Sequence, residues 1–138
     1  SGQKIVVADG DSFAIGPRKM RLTGIDAPEY RQNCSDESGR TWPCGKAARL
    51  ALEKILLEPE FSCEVEISDK YARELAICKT AYTPDIAAAQ VSNGMAVSHE
   101  FADMRDYGEQ EDRARAARLG IWRGPFERPE IWRAANKR

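Results

Sequence analysis

Two clusters of carboxylates, each followed by an arginine, give this sequence its chemistry: Asp9, Gly10 and Asp11 precede Arg21, and Asp26, Ala27, Pro28 and Glu29 precede Asp69, Lys70, Tyr71 and Arg73. Cleavage of a phosphodiester needs such a set. Asp11 and Asp26 are of the type that holds a hard divalent cation, Glu29 can take a proton from water, and Arg21 and Arg73 can clamp a phosphate through paired N–H donors. Asp9 and Asp11 around Gly10 also fit a plain Asp-Gly turn between strands. Asp26 adds weight to the chemical reading, because it ends another strand in a run where Pro28 confines Ala27 to extended conformations. That corner can present a side-chain and a backbone oxygen together, a mixture that calcium accepts more readily than magnesium does. Arg21, between Met20 and Leu22, is either a surface arginine or a cation aimed at the charge of a phosphoryl transition state, a contact worth roughly 2–4 kcal/mol in enzymes.

The elements that must position these residues are legible from periodicity. Lys4 to Ala8, Ser12 to Ile15 and Lys19 to Gly24 read as short strands separated by turn residues. Helical spacing follows from Gly45 to Leu57, with Ala48, Leu52, Ile55 and Leu56 on one side and Pro59 beyond the end. Phe61 to Ser68 returns to period two, Cys63, Val65 and Ile67 alternating with polar residues, and Leu75 to Thr80 is its expected partner across a two-residue turn at Lys70 and Tyr71. A second helix is predicted from Pro84 to Ser92 with Thr83 as N-cap, and a third from Glu109 to Leu119. The closing segment, Ile121 to Arg133, carries Trp122, Phe126 and Trp132 and is expected to wrap back onto the body. Five strands with a helix after the third predict an α+β, mainly β fold: a five-stranded Greek-key barrel of the OB type with about three helices, residues 1–138 forming a single domain.

Composition limits the classes of function. With 21 basic and 22 acidic side chains the net charge is -1, so attraction to a polyanion must come from local patches. No apolar run approaches the roughly 20 residues that cross a bilayer, and no membrane insertion is expected. The chain opens on Ser1 and Gly2, as a processed terminus or a cloning scar would. Four cysteines without a CxxC pair, and one histidine, His99, argue against structural zinc. Of the three possible pairings, Cys34 with Cys44 and Cys63 with Cys78 join nearby parts of the expected structure; Cys63 and Cys78 also fit as buried thiols. Two bridges would imply an oxidising compartment, hence a secreted or periplasmic location. Arg113, Arg115 and Arg118 share a helix with Glu109, Glu111 and Asp112, which favours intrahelical ion pairs over a phosphate-binding face.

The runs DGDSF, RLTGIDAPE and DKYAR, in this order, resemble those of the staphylococcal nuclease family, and the predicted first helix, the Val91 to Ala96 segment and the GIW run at 120–122 extend the likeness over nearly the whole chain. The resemblance implies Ca²⁺ held by the side chains of Asp11 and Asp26 and the carbonyl of Ala27, with Asp9 nearby as a supporting acid. It implies Glu29 as general base, Arg21 and Arg73 on the phosphate, and Lys70 and Tyr71 on a terminal or neighbouring phosphate. The implied reaction is calcium-dependent hydrolysis of DNA and RNA at the 5′ P–O bond, leaving 3′-phosphates, by a monomer acting on single-stranded substrate. Some positions depart from the family. Ala27 stands where its best-known member has threonine, Ala72 where that member has glycine, and the loop before Asp69 is shorter. Its substrate-stacking tyrosines have no clear equivalents, Phe101 and Tyr107 being the candidates. The alternative implied by the same likeness is a non-hydrolysing OB-type binding module of the cell envelope; relatives in Gram-negative bacteria are sometimes labelled by neighbouring exopolysaccharide (succinoglycan) genes.

Overall fold

The computed structural model describes residues 4–69, 71–99 and 106–137. Alternation of apolar and polar residues builds its first sheet segment. In β1 (Ile5–Asp9), β2 (Ser12–Ile15) and β3 (Arg18–Leu22), the antiparallel register sets Phe13 opposite Val7 on one side and Met20 on the other. All three are buried, so one cross-strand row starts the core. The chain continues through β4 (Ile25–Asp26) and a two-stranded ribbon, β5 (Cys34–Ser35) and β6 (Thr41–Trp42), into α1 (Cys44–Leu56). Helix α1 lays Ala48, Leu52 and Leu56 on the sheet, the face its spacing predicts. A hairpin of β7 (Ser62–Ser68) and β8 (Glu74–Lys79) follows, and β8 runs parallel to β3, giving the sheet order β1-β2-β3-β8-β7. Then come α2 (Ile86–Ser92), β9 (Val97–Ser98), α3 (Gly108–Ala116), a 3₁₀ turn at Gly120–Arg123 and α4 (Pro129–Ala135).

The protein is therefore a mixed α+β structure built on a five-stranded sheet, with differences from the sequence reading. Among the described residues the two sheet ends, β1 and β7, are not paired, so the recorded pairing leaves the sheet open. The same residues contain four α-helices, the fourth being α4 in the aromatic tail. Its Pro129 sits at the start, where a missing N–H costs nothing. Helix α2 is capped by Asp85, whose carboxylate accepts from the Ala88 N–H, and not by Thr83. The Thr83 hydroxyl instead donates to Glu58.

The β7–β8 connection is longer than two residues. Cys63 does face Cys78, but the register shifts between Val65 and Ile67, so Ser68 pairs with Glu74 and a five-residue loop, 69–73, spans the gap. Asp69 organises this loop: its Oδ1 accepts from the N–H groups of Tyr71 and Arg73, and its Oδ2 meets Arg73 Nε at 2.8 Å. Lys70 lies outside the described residues. Val65 and Ile67, 40% and 44% exposed on this outer strand, do not form the half-buried face expected of them.

Ala72 adopts φ +63, so the position retains the left-handed geometry for which glycine is suited. The left-handed region costs an L-residue about 1–2 kcal/mol, partly offset by the greater unfolded-chain entropy of glycine. Ala72→Gly is thus expected to stabilise the protein by about 0.5–1 kcal/mol, raising Tm by roughly 2–4 °C. A melting curve that shows no gain would mean the loop relaxes around alanine.

Disulfides Cys34–Cys44 and Cys63–Cys78 are both present. The first joins β5 to the start of α1 within a second apolar cluster that includes Val97 and Ile121, with Trp42, Trp122 and Phe126 packed against it. Two disulfides are compatible with an extracellular or periplasmic location. Among the described residues no helix is long and apolar enough to cross a membrane. On α3, Arg115 pairs with Glu111 at 3.7 Å, one of the intrahelical pairs the sequence favours, and also covers the Trp122 ring.

Candidate active site

The turn between β1 and β2 is built tightly. Asp9 Oδ1 accepts from Asp11 N–H at 3.2 Å and from the Ser12 hydroxyl at 2.7 Å, so Asp9 shapes the turn that carries Asp11. A Cβ on Gly10 would lie 2.6 Å from the Ala48 Cβ and 2.8 Å from the Ala27 Cβ, which explains the glycine by close approach. Gln90 of α2, fully buried, donates from Nε2 to the carbonyls of Gly10 and Ala48 at 2.8 and 3.1 Å. It ties the turn to α1 and α2 alike. No periodicity or motif in the sequence marks Gln90, since a lone glutamine in a helix reads as a surface residue.

Asp26 is brought beside this turn by the short β4–β9 pairing, in which it stands opposite Val97. The next N–H, that of Ala27, donates to Asp11 Oδ2 at 2.8 Å. Arg21 joins the two acids from β3: its Nη1 is 2.8 Å from Asp11 Oδ1, its Nη2 is 3.6 Å from Asp26 Oδ1, and Nη2 also donates to the Ile25 carbonyl. Asp11 and Asp26 are 2% and 1% exposed. Burial pushes the Asp11 carboxyl up to about 7 against the opposing pull of Arg21, with the neighbouring Asp9 adding to the rise. Burial opposes the charge on Arg21, but Asp11 and Asp26 outweigh it and raise that group.

Glu29 is held by its backbone. Its N–H donates to Gln32 Oε1, and the Gln32 N–H returns to the Glu29 carbonyl at 2.8 Å. Gly45 in the first turn of α1 donates to the Gln32 carbonyl, and a Cβ at Gly45 would overlap the Glu29 carbonyl oxygen, so the helix start packs directly beneath this turn. The Glu29 carboxylate is left partly accessible, 31% exposed.

These groups surround a cavity of about 610 Å³. Arg21, Glu29, Asp69, Tyr71 and Arg73 line it, together with Asp9, Lys19 and His99. The Arg73 guanidinium lies 5.5 Å from the centre of the Tyr71 ring. Asp11 and Asp26 are not part of the lining; they sit behind it. Tyr107 is buried and its hydroxyl donates to Asp85, so it packs locally, while Phe101 lies outside the described residues.

One group in the cavity was not anticipated as a site residue. Arg133 of α4 donates from Nη1 and Nη2 to the two carboxylate oxygens of Asp26, each at 3.1 Å, and from Nη1 to Glu29 Oε2 at 3.0 Å. Hydrogen bonding to Asp26, then to Glu29, raises the Arg133 group. The tail's aromatic content signalled that it folds back; nothing local identified which of its charges would reach the carboxylates.

Among the described residues no three His, Cys, Asp or Glu side chains are gathered as a metal cluster. Asp11 and Asp26 do converge on one positive charge, Arg21, and both are hard oxygen donors. They fit a hard divalent cation that takes its remaining ligands from backbone carbonyl and water.

Residues 19–124 match the family described as staphylococcal nuclease homologue. The chain is 32% identical to the succinoglycan biosynthesis protein ExoI of Rhizobium meliloti (strain 1021) over 91% of its own length and 66% of that protein. It is 30% identical to the micrococcal nuclease of Shigella flexneri over 99% of its length and 82% of that protein. A probable staphylococcal-like nuclease, CAN2 of Oryza sativa subsp. japonica, is 29% identical over 96% of the chain, which spans only 34% of that relative. The matched segment holds Arg21, Asp26, Glu29 and Arg73, and with it the chain belongs to the staphylococcal nuclease homologue family.

Proposed function

We propose that this protein is a calcium-dependent nuclease that hydrolyses single-stranded DNA or RNA at the 5′ P–O bond and leaves 3′-phosphates, acting as a monomeric OB-type domain in a secreted or periplasmic setting. The observation that carries this reading is the convergence of Arg21, Glu29 and Arg73 on one cavity, with the Asp11 and Asp26 pair directly behind it. Asp11, Asp26 and the Ala27 carbonyl would hold Ca²⁺. Bound there, the ion would supply Lewis-acid polarisation of a phosphate oxygen.

The remaining chemistry belongs to side chains. A phosphodiester in the cavity lies between Arg21 and Arg73, whose N–H groups neutralise the charge that builds on its non-bridging oxygens. Glu29, partly accessible and fixed through Gln32, accepts a proton from the water that attacks phosphorus. The 5′-oxygen leaves in line as an alkoxide and takes a proton from solvent water to become a hydroxyl. Tyr71 at the rim, 64% exposed, and Lys70 beside it in sequence contact the adjoining phosphate. Lys19 adds to the basic margin of the cavity, a local substitute for the net positive charge that the chain lacks.

The test is hydrolysis of single-stranded DNA and RNA with Ca²⁺, with Mg²⁺ and with chelator. Cleavage is expected with millimolar calcium, with 3′-phosphate ends, and none with chelator. Chelator-insensitive cleavage, or none at any calcium level from protein with both disulfides formed, would overturn the reading.

A second reading has one specific observation behind it. Arg133 occupies Asp26 and Glu29, the two carboxylates whose availability hydrolysis requires. A protein fixed in that state would be an envelope binding module of the same fold, in keeping with its likeness to a succinoglycan biosynthesis protein. Absence of turnover at every calcium level, from protein with both disulfides formed, would favour it.

A further inference from the structure

We propose that Arg133 is a built-in competitor for calcium: its guanidinium holds Asp26 and Glu29, must be displaced before an ion can settle, and so sets the calcium concentration at which the site becomes competent. This inference rests on the calcium reading of Asp11 and Asp26.

The geometry is that of a fork. Each oxygen of Asp26 accepts from a different nitrogen of Arg133, and Arg21 Nη2 stands 3.6 Å from one of them. Asp11 is similarly engaged, Oδ1 with Arg21 and Oδ2 with the Ala27 N–H. A carboxylate so held has few lone-pair directions left, and a divalent ion on those that remain would face a guanidinium at close range. The third contact, from Arg133 to Glu29, places the same positive charge on the carboxylate that would accept the proton.

Arg133 is delivered to this position by an anchored segment. Gln32, which receives the Glu29 N–H, donates from Nε2 to the Glu127 carbonyl at 2.7 Å, so one buried side chain fixes both the Glu29 turn and the approach to α4. Arg128 reaches Glu111 on α3 at 3.5 Å, and the Arg31 guanidinium lies 6.0 Å from the centre of the Trp132 ring. Arg133 itself stays partly exposed, 42%, with a long side chain that can swing toward solvent while α4 remains docked. Arg21 differs: it is mostly buried and bonded to a main-chain carbonyl, so of the two guanidiniums Arg133 is the one that yields. The apparent calcium affinity is then the intrinsic one multiplied by the fraction of molecules in which Arg133 has let go.

The experiment titrates calcium into the wild type, Arg133→Ala and Arg133→Lys, first without nucleic acid, reading thermal stabilisation, and then with single-stranded DNA, reading turnover. Arg133→Ala is expected to lower the calcium midpoint in both assays by roughly tenfold, and Arg133→Lys, which keeps the charge but not the fork, to fall between. An unchanged or raised midpoint for Arg133→Ala overturns the proposal. Turnover that falls while the midpoint stays put does so too, and makes Arg133 a phosphate ligand. A midpoint that shifts in the binding assay while no protein cleaves sustains the competitor and removes the nuclease reading. Cleavage by all three at one midpoint does the reverse. Failure of all three to bind calcium overturns both.

Discussion

Arg21→Ala is expected to remove turnover and a large share of stability together. On the proposed reading Arg21 donates to the phosphate, and loss of such a donor costs about 10²–10³ in kcat. In the folded protein it is the charge on which Asp11 and Asp26 converge, at 2.8 and 3.6 Å, and both acids are almost fully buried. Breaking a buried pair by removing one partner strands the other, at about 3 kcal/mol or somewhat more, so a drop in Tm of roughly 10 °C is expected. The size of the drop depends on pH, and the sign follows from Asp11. Its folded pKa of about 7 stands above its ordinary 3.8, so the stability this group contributes is complete below the lower value and is lost as pH rises through about 7. Without Arg21 to favour the ionised form, the loss deepens. The Tm gap between wild type and Arg21→Ala should therefore be wider at pH 8 than at pH 5, and saturating calcium should narrow it. Equal gaps at both pH values would mean that Arg21 acts through packing and not through the charge on Asp11.

Much of this arrangement is legible in the sequence because it rests on local rules. Turn residues located the first three strands and period two the β7 strand with its hairpin partner, although β7 leaves Val65 and Ile67 exposed, and the apolar stripe of α1 located that helix. The two disulfides followed from proximity: Cys63 opposite Cys78 needed only the hairpin, and Cys34 with Cys44 only a short loop. The errors arose where two local rules competed or where a contact crossed the whole chain. In Thr83-Pro84-Asp85 either polar residue suits a cap. Asp85 took the role in part because Tyr107, 22 residues on, donates to its second oxygen, while Glu58 claims Thr83. The bulge near Glu66 offset the longer turn, so an incorrect turn still gave a correct register at Cys63. The contact that ties the tail to the site, Arg133 with Asp26, spans 107 residues and leaves no periodic trace. The acids and arginines of the site were visible as types in order; that they pair with one another is a property of the folded protein alone.

Glu29→Gln is the substitution that separates turnover from everything else. Glu29 is partly exposed, and its place is fixed through its main chain by Gln32 and the close approach of Gly45, so an amide of the same shape leaves the turn as it is. Stability is expected to stay within about 0.5 kcal/mol. Glutamine cannot accept the proton from the attacking water, and general-base catalysis is worth about 10²–10⁴, so kcat should fall by roughly 10³ while KM changes little. The same change removes one of the two carboxylates that hold Arg133, and with it part of the resistance to calcium. The variant should thus bind calcium at least as well as the wild type and yet hardly turn over. Turnover within tenfold of wild type at saturating calcium would remove Glu29 from the chemistry and leave it only as a partner of Arg133. In that case the first effect seen would be activation at low calcium, which is opposite in sign to the loss expected here.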